Sequence, residues 1–122
     1  MFMVNPRQSN SITPNDVARR IQAHVCNKRK SIRDIRERWI ISDTFRLCQV
    51  STSAVKPDCK DRLSVMIEEP IIVDKNKHGP GSRVLDGNHR LSTAIRLGRK
   101  TIAAYVGDAL YDEIAKENYN GP

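Results

Sequence analysis

Residues 83–99 place a strand pattern, a glycine turn and a helix pattern side by side, and this junction constrains the fold more than any other stretch. Val84 and Leu85 form a short apolar run of the kind found in buried strands. Asp86-Gly87-Asn88 interrupts that run, and Gly98 is placed to end a helix. Between them, apolar residues recur with helical spacing at Leu91, Ala94, Ile95 and Leu97. The junction therefore predicts a strand that leads directly into a helix.

The rest of the chain alternates between strand and helix patterns. Strands are predicted over residues 44–51, 70–73, 83–85 and 101–106, and helices over 61–69, 91–97 and 110–117. Two helices precede the first of these strands. This order is typical of an α+β (mixed α/β) fold, a small domain with an N-terminal helical extension.

The two leading helices have clear start signals. Thr13 can cap a helix in which Pro14 takes the first position and Asp16 favours the dipole, and the apolar stripe predicts that it runs to about Cys26. Ser31 can cap the second helix. We therefore divide the chain into a flexible tail at 1–12, a basic helical extension at 13–43 and an α/β domain at 44–122.

Positive charge is concentrated in the helical extension. The formal net charge is +7, and residues 19–38 hold eight basic side chains against Asp34 and Glu37. Such asymmetry predicts a polyanionic partner, and DNA or RNA contact is assigned to one helix face with Arg29, Arg33 and Arg36. The alternative is an ordinary solvated helix face. The two helices can also exchange between subunits, so a homo-oligomer is a further hypothesis.

The cysteine content and the length of the apolar runs indicate in which cellular compartment the protein is expected. Cys26, Cys48 and Cys59 are an odd set without metal-like pairing, which indicates reduced thiols in a cytoplasmic protein. His24 lies near Cys26, but four zinc ligands cannot be assembled, so no metal site is predicted. No apolar run is long enough to cross a bilayer and no secretory signal is evident, so no membrane partner is expected.

The turn at residues 86–90 has the chemistry of an anion site. The first N–H groups of a helix lack partners within the helix, and the dipole adds positive potential there. His89 and Arg90 stand at that end, where cations are unfavourable unless an anion shares the site. Gly87 permits close approach of a ligand. The alternative is that Arg90 pairs with Asp86 or Asp74 and that His89 is a polar residue satisfied by the protein.

These motifs resemble the ParB/sulfiredoxin superfamily, which includes proteins labelled ParB-like nucleases. The resemblance covers about residues 44–107 and is carried by the segment 70–73 followed by residues 83–91. It implies nucleotide binding, with a phosphate turn and extra donors at Gly87, Asn88, His89, Arg90, Ser92 and Thr93. Glu69 lies in the segment that borders the nucleotide in this family. Asn88 stands where sulfiredoxins have a cysteine, so sulfinic acid repair is not expected.

Two function classes follow. The first is an NTP phosphohydrolase, phosphotransferase or nuclease that acts on CTP, ATP or nucleic acid. Its catalytic residues would be His89, Arg90, Asp86 and Glu69, with Mg²⁺ brought by a nucleoside triphosphate. The second is a non-enzymatic regulator, from a mobile element or virus, that binds nucleic acid or protein. Aromatic residues are scarce, which favours charge attraction over base stacking.

Overall fold

The computed structural model describes residues 11–55 and 69–119, with side chains described as far as residue 114. Its strands are β1 (Ser11–Ile12), β2 (Phe45–Ser51), β3 (Ile71–Lys75), β4 (Ser82–Asp86) and β5 (Thr101–Gly107). Its helices are α1 (Pro14–Gln22), α2 (Ile32–Trp39), α3 (Asn88–Arg96) and α4 (Asp108–Tyr119), with a 3₁₀ turn at Val25–Asn27. The protein is thus a small mixed α+β domain.

The strands form one sheet in the order β1-β2-β5-β3-β4. β5 is antiparallel to β2 and parallel to β3, so the last strand in the chain joins the two halves of the sheet. β3 and β4 form an antiparallel pair in which Ile72 lies opposite Asp86. This pairing sets the end of β4, and with it the turn before α3, beside the start of β3.

Helices cover both faces of the sheet because β3 and β5 alternate their side chains between two apolar clusters. Ile71 and Val73 pack with Leu91 and Ala94 of α3 on one face. Ile72 packs on the other face with Val17, Ala18, Ile21, Ile35, Ile41 and Phe45, which come mostly from the helical extension. The extension at 13–43 therefore shares a continuous interior with the sheet.

The start of the extension differs from the sequence prediction in two places. Ser11 and Ile12, placed in the flexible tail, pair with Arg46 and Phe45 as an edge strand. The first helix ends at Gln22, and the backbone is extended at His24 before the 3₁₀ turn, so the prediction of a helix to Cys26 is wrong. The side chain of His24 bonds across to β4, as described below.

Local capping matches the sequence reading. Thr13 and Asp16 form a reciprocal capping box at α1, and these hydrogen bonds from Thr13 hold the pKa of Asp16 below its ordinary value. The Ser31 hydroxyl accepts the amide of Asp34 at α2. The strand and helix predictions for residues 44–51, 70–73, 83–85, 91–97, 101–106 and 110–117 are confirmed to within a few residues. The helix predicted at 61–69 falls almost wholly outside the described residues.

Within residues 11–55 and 69–119, no helix combines the length and the apolar character needed to cross a membrane.

Candidate functional site at the turn before helix α3

The turn between β4 and α3 depends on a glycine. Gly87 caps α3 in the left-handed conformation, with φ of 97°, and no side chain caps the helix end there. A Cβ at this position would lie 2.6 Å from Cγ2 of Ile71 and 3.0 Å from Nη2 of Arg90. Both the backbone conformation and the lack of space therefore demand glycine. The close approach also packs the turn tightly against the start of β3.

Arg90 points back across this turn. Its Nη2 donates hydrogen bonds to the carbonyl oxygen of Pro70 at 3.1 Å and to Oδ2 of Asp86 at 3.2 Å. Its Nη1 lies 3.9 Å from Oε2 of Glu69, which is beyond hydrogen-bond reach, and the Glu69 side chain is 81% exposed. The pairing with Asp86, left open by the sequence, is thus present, and Nη1 is the edge of the guanidinium that faces the exposed carboxylate.

The other possible partner of Arg90 is engaged elsewhere. Oδ2 of Asp74 lies 3.1 Å from Nη2 of Arg83 and 3.7 Å from Nζ of Lys77. Asp74 is buried near the far end of the β3–β4 hairpin, where it also accepts the amide of Lys75. Arg90 and Asp74 therefore belong to separate ion pairs.

Asp86 has a second partner, which sequence reasoning missed. Nε2 of His24 lies 2.6 Å from Oδ1 of Asp86. Asp86 is 9% exposed in its side chain, whereas the His24 side chain is 50% exposed. The carboxylate is thus enclosed between an imidazole from the extension and a guanidinium from α3, and one side of the imidazole is open to solvent.

The other predicted site residues take different positions. His89 is exposed on the first turn of α3, and Asn88 is half-buried. Ser92 and Thr93 are buried, with 8% and 2% of their surface exposed. All four make interactions within the chain. The structure therefore brings His89 to the surface near the turn, whereas Ser92 and Thr93 are buried.

The three arginines assigned to nucleic-acid contact also have different environments. Arg36 is half-buried and donates to the carbonyl oxygen of Ile41 and to the Asn15 side chain, so it stabilises the packing of α1 and α2. Arg33 forms an exposed pair with Glu37. Arg29 is exposed, and the described residues show no ion pair for it. The assignment thus fits Arg29 best and fits Arg36 poorly.

The carboxylates at the turn differ in whether they could act as ligands of the predicted Mg²⁺. Both oxygens of Asp86 are already bonded, one to His24 and one to Arg90, so Asp86 does not fit the role of a metal ligand in this arrangement. Glu69 is the accessible carboxylate beside Arg90. Among the described residues, no group of three or more His, Cys, Asp or Glu side chains is arranged to hold a metal ion.

Comparison with models of known protein families, with curated proteins and with solved structures finds no match to this chain. The resemblance to the ParB/sulfiredoxin superfamily therefore rests on its motifs alone.

Proposed function

We propose that the β4–α3 turn binds the phosphate of a nucleotide or nucleic acid and that the protein cleaves a phosphate bond there, as a ParB-like phosphohydrolase, phosphotransferase or nuclease. One observation carries the proposal. A helix that begins at a left-handed glycine without a side-chain cap has a buried Asp86 beside it, bonded to both a guanidinium and an imidazole. Anion binding, charge stabilisation and proton transfer can all take place at such a site.

The phosphate would meet the Nη1 edge of Arg90. Both described hydrogen bonds of the guanidinium come from Nη2, which fixes its orientation on Pro70 and Asp86. Among the described residues, a ligand oxygen at Nη1 would displace Glu69, an exposed side chain at 3.9 Å. The planar donor arrangement of arginine allows one nitrogen to anchor to the protein while another contacts the ligand. Among the described residues, Glu69 is the exposed carboxylate beside Arg90 that could contact Mg²⁺ brought by a nucleoside triphosphate.

The test compares Arg90→Ala with Arg99→Ala, an exposed arginine beyond the other end of α3. Each protein is mixed with CTP, ATP, and single- and double-stranded DNA and RNA, with and without Mg²⁺. We expect Arg90→Ala to lower affinity about tenfold or more, because a hydrogen bond to a charged group is worth about 1.5–3 kcal/mol. Phosphate release or strand cleavage should fall as well. Arg99→Ala should behave as the wild-type protein. Equal activity of the two variants, both folded by circular dichroism, would refute the site.

A second candidate function is a nucleic-acid-binding module without turnover. The observation that favours it is the exposed charge of the extension, where Lys28, Arg29 and Arg38 have no ion pair among the described residues. Phosphate contacts of this kind give salt-dependent binding without sequence readout. Binding that survives Arg90→Ala but is lost when Lys28 and Arg29 are changed to glutamine would support this function.

A further inference from the structure

We propose that His24 is the proton acceptor of this site, a role that rests on the proposed cleavage of a phosphate bond. His24 stands in the extension, 62 positions before its partner Asp86 in the chain. Its backbone is extended between α1 and the 3₁₀ turn, and this break in the helix aims the side chain at β4. Three features of the pair support this role: its geometry, the ring tautomer that this geometry requires, and its access to solvent.

The geometry of the pair fixes which ring nitrogen can accept a proton. An ionised carboxylate has no hydrogen to donate, so the 2.6 Å contact with Oδ1 of Asp86 requires a hydrogen on Nε2 of His24. In the neutral imidazole the lone pair then lies on Nδ1. The carboxylate also stabilises the imidazolium that forms when Nδ1 takes up a proton. The pair therefore has the arrangement of a general base and its orienting group.

The surroundings suit this role better than a purely structural one. Asp86 is enclosed and held on its other oxygen by Arg90, so it presents a fixed acceptor to the imidazole. Half of the His24 side chain remains exposed, which leaves the ring accessible to water and to substrate. Arg90 links the base to the proposed phosphate position, because the same guanidinium contacts Asp86 through Nη2 and faces outward through Nη1.

The reaction we infer is hydrolysis of a phosphoester. Water attacks phosphorus while Nδ1 of His24 removes one of its protons, so a new bond forms between phosphorus and the water oxygen. The bond from phosphorus to the leaving oxygen breaks, and its electron pair stays on that oxygen, which takes a proton from solvent. The imidazolium then releases its proton to solvent. The products are an alcohol and a phosphate in which the water oxygen has replaced the leaving oxygen, and no oxidant or reductant is needed.

The decisive variant is His24→Gln, compared with His78→Gln at an exposed histidine in the β3–β4 turn. Glutamine can still donate an N–H to Asp86 but has no basic nitrogen. With bis(p-nitrophenyl) phosphate and labelled oligonucleotides as probes, we expect kcat to fall about 100-fold or more in His24→Gln, as for loss of a general base. Affinity and the urea unfolding midpoint should stay close to wild type. His78→Gln should match the wild-type protein in all three measurements.

A second variant separates chemistry from structure. His24→Gly should lose the same activity and regain part of it when free imidazole is added, because the added base can occupy the vacated position. Turnover of His24→Gln within about twofold of wild type would overturn the inference and leave the proposed function standing. Loss of binding and stability in both variants, without rescue by imidazole, would show that the contact of His24 with Asp86 only stabilises the fold. A wild-type protein that cleaves neither these probes nor CTP or ATP would refute both proposals together.

Discussion

Two arginine–aspartate pairs with buried carboxylates lie at opposite ends of the β3–β4 hairpin, and they differ in the residues that surround them. Asp74 pairs with Arg83, which also donates to the carbonyl oxygen of Trp39 in the extension. Asp86 pairs with Arg90, which also donates to the carbonyl oxygen of Pro70. In both arginines the Nε atom is buried without a hydrogen-bond partner among the described residues. The two pairs thus start from the same chemistry.

The difference lies in the remaining partners of each carboxylate. Asp74 is 1% exposed and has Lys77 and the Lys75 amide as further partners, and a Cβ on Gly107 would lie only 2.5 Å from its Oδ1. Asp86 has a half-exposed histidine instead. The Asp74–Arg83 pair is therefore surrounded by protein in the part of the chain that the structure describes, and we call it the closed pair. The Asp86–Arg90 pair contacts a half-exposed imidazole, and we call it the open pair. Burial of an ion pair alone does not mark a functional site, and the exposure of the His24 ring is the feature that sets the proposed site apart from the Asp74 pair.

The largest expected loss in the free energy of unfolding comes from removing the carboxylate of the closed pair. Asp74→Ala leaves Arg83 buried without its carboxylate, and we expect it to cost about 3–5 kcal/mol in the free energy of unfolding. Asp86→Ala should cost less, about 1–3 kcal/mol, because His24 can turn to water and Arg90 keeps the Glu69 carboxylate nearby. Urea unfolding of both variants measures the difference. An equal or larger loss in Asp86→Ala would mean that the two pairs are equivalent in stability, contrary to this interpretation.

A smaller effect is expected at the glycine beside the open pair. Gly87→Ala combines a left-handed backbone with a clash against Ile71. We expect it to lower the free energy of unfolding by about 2–4 kcal/mol and to displace Arg90. Gly98→Ala is the matched control, because Gly98 has φ of 73° but nothing lies within 4 Å of an added Cβ. It should lose only about 1–2 kcal/mol. Comparable unfolding midpoints would show that contact with Ile71 contributes little.

The smallest effect is expected at the rim of the open pair. Glu69→Gln removes the carboxylate that competes for Nη1 of Arg90, so phosphate affinity should rise about 1.5- to 5-fold, the scale of an exposed ion pair. Stability should not change measurably. Glu37→Gln, which breaks the exposed pair with Arg33, is the control and should leave affinity at this turn unchanged. NMR titration of the amides of residues 87–91 with inorganic phosphate measures both, and weaker binding by Glu69→Gln would argue against Nη1 as the contact.

Much of the fold is readable from the sequence because its signals are local. Capping residues at Thr13 and Ser31 lie within three positions of the amides they satisfy. Alternating burial in β5 and the glycine that ends α3 likewise depend on near neighbours. The strand–turn–helix junction at residues 83–98 is of the same kind. These elements could be predicted with little knowledge of the tertiary structure.

The site could be predicted only in part because its decisive contacts join distant segments. Nothing near His24 in sequence points to Asp86, because the helical pattern of apolar residues continues past it to Val25. The orientation of Arg90 likewise depends on the position of Pro70, which is fixed by the pairing of β3 with β4. The internal role of Arg36 depends on how α1 packs against α2. Such facts follow from the assembled sheet and not from periodicity.

The position of β5 in the sheet has a consequence for synthesis of the protein on the ribosome. β1 and β2 lie on one side of β5, and β3 and β4 on the other, so the two halves of the sheet share no strand pairing until the fifth strand is available. The extension emerges first, yet part of the apolar surface that covers it arrives with Ile72 and Tyr105. Nascent chains that end before residue 101 would therefore lack the strand that pairs with both halves, and completion of the native sheet must wait until β5 has been translated.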